Sequence, residues 1–81
     1  IDDLSKKVIN DFINEFEKLS SPSREILEPV IKSLIDKHKT NFKGVGQPLR
    51  IALVGSRFGP GLYDVILSLD KAEVIKRLKS V

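Results

Sequence analysis

The spacing of apolar residues points to an all-α fold, a small bundle of five to six short helices with no sheet. Apolar side chains recur at the 3.6-residue helical period in successive stretches. Prolines and glycines fall between those stretches, where helices start and stop. The chain has 81 residues, 41% of them hydrophobic, which is enough for one domain with a modest core.

The first helix is expected over Asp3 to Leu19. Leu4, Val8, Phe12 and Phe16 repeat every four residues, and Ile9 and Ile13 fill the adjacent row. Asp2 or Asp3 can cap its first turn by accepting backbone N–H bonds. Ser20-Ser21-Pro22-Ser23 breaks the pattern, and Pro22 suits the first position of the next helix. Ile26, Leu27, Val30, Ile31, Leu34 and Ile35 form the second apolar series. Pro29 interrupts it, removing an internal hydrogen bond and crowding the carbonyl four residues back. Because the stripe keeps its phase across Pro29, a kink or an in-line restart is expected. Thr40 to Gly46 reads as a loop turned by two glycines.

Leu49 to Val54, between Pro48 and Gly55, has the look of a strand: short, apolar and bounded by breakers. No second strand-like run is present to pair with it, and a lone strand leaves backbone groups unsatisfied. A short helix opened by Pro48 is the better reading. Pro60 opens another helix, Gly61 to about Leu69, with Leu62, Val65, Ile66 and Leu69 on one face. Asp70 stands three residues before Glu73, the capping-box spacing. The last helix, Lys71 to Ser80, should bury Val74, Ile75 and Leu78 and end in Lys76, Arg77 and Lys79, where the helix dipole favours cations. There is no internal repeat and no low-complexity segment.

Composition excludes several chemistries. There is no Cys, so disulfides, thiolate nucleophiles and Cys-based zinc sites are out, and the single histidine, His38, cannot build a His-rich metal site. No apolar run approaches the roughly 20 residues that a membrane-spanning helix requires. A chain that opens at Ile1 and contains no Met is expected to be a fragment of a larger one. The acids Asp2, Asp3, Glu15, Glu17 and Asp36 lie among lysines on amphipathic helices, where capping and surface pairing account for them. General acid–base catalysis calls for a pocketed carboxylate with a shifted pKa, which nothing in their setting suggests.

The net charge is only +3, yet its distribution is uneven. Lys37, Lys39, Lys43, Arg50 and Arg57, with His38, occupy a stretch that holds no acid, whereas the first 36 residues mix both signs with acids leading. His38 at a helix end is explained by the dipole, and a contact with RNA is its alternative role. Gly55 to Gly61, Gly-Ser-Arg-Phe-Gly-Pro-Gly, matches neither a Walker loop nor a dinucleotide fingerprint. A plain turn accounts for its glycines and for Pro60. Arg57 and Phe58, a cation beside an aromatic, suit unstacked RNA bases, which are recognised by stacking and by edge hydrogen bonds.

The segment Gln47-Pro48-Leu49-Arg50-Ile51-Ala52-Leu53-Val54-Gly55, followed by Gly59-Pro60-Gly61-Leu62-Tyr63-Asp64-Val65-Ile66, resembles the C-terminal anticodon-binding region of bacterial-type glutamyl-tRNA synthetases. That family has Gln-Pro-Leu-Arg-x-Ala-Leu-Thr-Gly and then Gly/Thr-Pro-x-Leu-Phe-Glu-Val. Lys71-Ala72-Glu73-Val74-Ile75-Lys76-Arg77-Leu78 is similar to its Gly-Lys-Glu-Arg-Val-Leu-x-Arg-Leu terminus. The close match spans residues 47 to 79. It departs at Ser56, where many relatives place an Arg that here comes one later at Arg57, and ahead of the Gln-Pro, where relatives often have Gly-Lys and this chain has Lys43-Gly44.

The resemblance implies an all-α domain of a class I aminoacyl-tRNA synthetase, remote from the site that joins glutamate to tRNA with ATP and Mg. The catalytic His-Ile-Gly-His and Lys-Met-Ser-Lys signatures are absent from the chain. The fragment is therefore expected to be non-catalytic, to need no cofactor of its own, and to read the tRNA anticodon for protein biosynthesis. Gly59, Pro60 and Leu62 occupy the positions that the family sets against the anticodon bases. Ser56, Arg57 and Phe58 join them by proximity, and Arg50 as a cation of the same stretch. Expected partners are the tRNA anticodon arm and the preceding domains of the same enzyme, in a cytoplasmic monomer that touches no membrane. The alternatives are a helical protein-interaction module without RNA binding, and a helical binder of duplex DNA. The second is disfavoured because residues 60–69 contain no Arg, Asn or Gln to read bases.

Overall fold

A computed structural model describes residues 3–55 and 61–80, and among them there are five helices and no strand. The helices are α1 (Asp3–Glu17), α2 (Arg24–Lys37), α3 (Phe42–Val54), α4 (Leu62–Ser68) and α5 (Lys71–Lys79). The all-α expectation holds, and so does the helical reading of Leu49 to Val54.

Helix α3 is the axis, because it is the one element that packs on all four others. Its sequence suits the position, since Val45, Gly46, Pro48, Leu49 and Leu53 are all buried. Across from it α1 contributes Val8, Ile9, Phe12, Ile13 and Phe16, with the Phe12 and Phe16 rings stacked at 5.3 Å between centroids. Leu27, Ile31 and Leu34 of α2, Leu62, Val65 and Ile66 of α4, and Val74 and Leu78 of α5 complete one cluster. Each large apolar side chain removed from water in this way contributes about 1.5–3 kcal/mol. Several residues of the expected stripes are not in it: Leu4 and Ile26 are exposed, and Val30, Ile35, Leu69 and Ile75 are only half-buried against it.

Several expected boundaries are corrected. Thr40 to Gly46 is not a loop throughout, and Pro48 does not open a helix. The helix begins six residues earlier, at Phe42, where Asn41 caps it by accepting the Gly44 N–H at 2.9 Å. Both glycines lie inside the helix. A methyl on Gly44 would collide with Thr40 Oγ1, whereas one on Gly46 would meet Phe42 and Leu62 at ordinary contact distance. Pro48 sits where its missing N–H leaves only the Gly44 carbonyl without its helical donor. Pro29 likewise lies within an unbroken α2 rather than at a restart. Pro22 is not the first residue of that helix, since Ser23 is its cap. Asp70 does precede α5 as its cap residue, but its side chain makes no capping bond, and Glu73 pairs with Arg77 instead of closing a capping box.

Candidate nucleic-acid interface

The basic stretch divides at the end of α2. Lys37 and His38 turn toward α1, where Asp11 Oδ2 accepts from Lys37 Nζ at 3.1 Å and from His38 Nε2 at 2.7 Å. The His38 side chain is only 11% exposed. Burial raises the Asp11 pKa, but the hydrogen bonds from Lys37 and His38 outweigh it and hold the carboxyl below its usual range. His38 therefore terminates α2, as its position suggested, and also staples α2 to α1.

Lys39 comes next, in the left-handed region at φ 52°, the one non-glycine residue there among those described. Its N–H bonds to Asp36 O at 3.3 Å and that of Thr40 to Ile35 O at 3.0 Å, the double closure that normally recruits glycine to this position. Beyond it, Lys39, Lys43 and Arg50 have no acid partner among the described residues. Arg50 is half-buried on α3, and its Nε is enclosed without a hydrogen-bond acceptor.

At the far end of α3, Gly55 takes the left-handed cap at φ 73°, with its N–H on Ile51 O at 2.8 Å. Only the missing Cβ makes that conformation easy. The chain is described again from Gly61, the residue that caps α4. Of the residues expected at the site, Ser56, Arg57, Phe58, Gly59 and Pro60 lie outside the described residues. Leu62 opens α4 with its side chain in the core at 3% exposure, close to Gly46. It fixes where α4 begins and does not present its isobutyl group to solvent.

Three features were not singled out from the sequence. Arg24 of α2 lays its guanidinium 5.2 Å from the Tyr63 ring centroid, and Phe42 approaches the same ring at 6.2 Å. Burial, reinforced by Glu28 and opposed by Arg24, raises the Tyr63 pKa. Arg77 of α5 reaches the last turn of α3. Apolar periodicity carries no information on such cross-helix pairs, so none had a signal. Among the described residues no three acids or histidines cluster as a metal site would require, and no helix is long and apolar enough to cross a membrane. A polar hollow between α1 and α2 is lined by Asp11, Asn14, Glu15, Lys18, Ser33 and Lys37.

Comparison with known proteins agrees with this arrangement. A family model described as an anticodon binding domain matches residues 1–81. The chain is similar to the glutamate–tRNA ligase of Pelagibacter ubique (strain HTCC1062), with 55% identity over 96% of this chain and 17% of that protein. Glutamate–tRNA ligase 1 of Syntrophus aciditrophicus (strain SB) is 41% identical over 75% of the chain and 13% of its own length. The glutamate–tRNA ligase of Methylacidiphilum infernorum (isolate V4) is 33% identical over 100% of the chain and 18% of its own length. The chain thus spans less than a fifth of each of these relatives. No solved structure matches it. With the full sequence inside one family model and relatives that are glutamate–tRNA ligases, the chain belongs to the anticodon-binding domain family, in the form that glutamate–tRNA ligases carry.

Proposed function

We propose that this domain reads the tRNA anticodon for a glutamate–tRNA ligase, as the C-terminal, non-catalytic part of a class I synthetase. Attachment of glutamate with ATP and Mg belongs to the preceding domains, which together with the anticodon arm of tRNA are its partners. The enzyme acts as a cytoplasmic monomer. Family membership supports the reading, and the observation that carries it is the exit of α3. There a motif shared with the family ends in the left-handed Gly55, and Arg50 in the turns before it, like Lys39 and Lys43 at the start of α3, has no acid partner among the described residues.

In this reading those cations draw in the phosphate backbone, the sequence-independent part of binding. Ser56, Arg57, Phe58, Gly59 and Pro60 meet the splayed bases, with Leu62 anchoring the start of α4 behind them. Stacking and edge hydrogen bonds then distinguish one base from another.

The test is a titration of the 81-residue chain with an anticodon stem-loop RNA at several salt concentrations. Arg50→Ala and Arg57→Ala should each weaken binding and lower the salt slope by roughly 0.7–1, the change expected from one phosphate neutralised. Affinity and salt dependence that stay the same in both variants would remove these residues from the interface. An RNA that fails to bind the wild-type chain, alongside salt-insensitive capture of a protein, would favour a protein-interaction module.

A further inference from the structure

Helix α5 gives two of its cations to the carbonyl ends of other helices. Lys71 Nζ donates to Glu17 O at 2.9 Å and also to Leu19 O, closing the end of α1. Arg77 Nη1 donates to Leu53 O at 2.7 Å, closing the end of α3 from 24 residues away in sequence. The last four carbonyls of any helix have no intrahelical donor, and a cation is the partner that the helix dipole favours there.

The two closures lead into different segments. After Leu19 comes the turn into α2. After Leu53 comes Gly55, where the chain leaves the helix in a left-handed turn toward residues 56–60. Because α3 stops there, the Leu53 carbonyl has no donor further along its own helix, and the guanidinium supplies one. Arg77 is itself held, since its Nε donates to Glu73 Oε1 at 2.8 Å, so one planar group bridges a carboxylate and a carbonyl. Glu73 has its pKa lowered, first by that hydrogen bond. On the other side of the segment the chain is pinned by Leu62 in the core.

We propose that Arg77, oriented by Glu73, is a positioning residue for anticodon discrimination, fixing the direction in which the chain leaves α3 for the bases. This rests on the proposed function above. An exit held in place sets the direction of the chain at Gly55. A released exit would still offer the same charge to phosphates while losing its preference among bases, because phosphate contacts position the complex and base contacts specify it.

The experiment measures affinity of the 81-residue chain for two anticodon stem-loops, one with a glutamate anticodon and one with its middle base changed, alongside urea unfolding of each variant. Arg77→Gln is expected to lower the ratio of the two affinities about tenfold, the scale of one hydrogen bond to a charged group, with the salt slope unchanged. Arg77→Lys, whose ammonium can still reach the carbonyl, should keep most of the ratio. Lys71→Gln removes the equivalent closure from α1 and should cost stability while leaving the ratio as in the wild type. Glu73→Gln leaves the guanidinium present but frees it, and should give an intermediate loss even if Arg77→Gln proves too unstable to assay. A wild-type ratio in Glu73→Gln, or in a folded Arg77→Gln, overturns the inference. So does an equal loss in Lys71→Gln, which would make the effect one of stability alone. A wild-type chain that prefers neither RNA overturns the proposed function, and this inference with it.

Discussion

Helices α2 and α3 bound the basic stretch, and their C-terminal ends handle charge in opposite ways. At the end of α2 the donors belong to the helix itself: Lys37 and His38 fold back onto Asp11 of α1, and a lysine occupies the left-handed position. At the end of α3 the left-handed position holds glycine, and the closing cation is lent by α5. The first arrangement consumes local positive charge to hold two helices together. The second leaves the charge of α3 itself, that of Arg50 and Lys43, unpaired among the described residues. A run of like charge in sequence is therefore not a uniform surface, because part of it is structural cement.

The comparison supposes that both ends hang from one core, which makes the core the first thing to disturb. Phe12 is fully buried on α1 and stacked on Phe16, and Leu49 is fully buried on α3. Phe12→Ala should lower stability by about 3–5 kcal/mol and Leu49→Ala by about 2–5 kcal/mol, large fractions of what a domain of this size possesses. Each should do so in a single urea transition seen alike by α-helical circular dichroism and by the Tyr63 ring. Two separate transitions would mean that the ends belong to independent units, and the contrast between them would lose its basis.

A smaller effect separates the two ends by pH. The lowered pKa of Asp11 means that its contacts add stability above the ordinary carboxylate value of 3.8 and lose it as the pH falls through the lower, folded-state value. Asp11→Asn should cost about 1 kcal/mol at pH 7, from one weakened charge-assisted hydrogen-bond site, and less at pH 3, below the ordinary carboxylate value, where that stabilisation is being lost. Urea unfolding at both pH values reads this directly. An equal cost at both would show that the α2 end is held by packing and not by its charges.

How far the sequence revealed all this depends on the kind of signal. The core of α1 was legible because Val8, Phe12 and Phe16 share a helical face with no competing pattern. Helix α3 was legible as a helix only through the absence of a partner strand, and its start was missed. Asn41 resembles any polar loop residue, and Gly44 and Gly46 resemble breakers until Thr40 is seen crowding the first and Phe42 and Leu62 packing beside the second. The motif from Gln47 to Gly55 located the candidate interface by resemblance. What periodicity could not supply was the set of pairs that cross between helices, Asp11 with His38, Arg77 with Leu53 and Lys71 with Glu17, because distance in space leaves no trace in local spacing.

The slightest expected change is the most informative about Lys39. A non-glycine residue in the left-handed region is strained by its Cβ, and the Schellman-type closure that Lys39 and Thr40 make is one that glycine would enter freely. Lys39→Gly should therefore raise stability by about 0.5–1 kcal/mol, a gain reduced by the extra freedom glycine has when unfolded. The same substitution deletes a cation next to the staple yet outside it, so under the proposed function it should weaken RNA binding and lower the salt slope by roughly 0.7–1. A protein made more stable and a poorer binder by one exchange would place Lys39 with Arg50 on the unpaired side of the comparison. Greater stability with unaltered RNA affinity would place it with Lys37 and His38 instead, as part of how α2 ends.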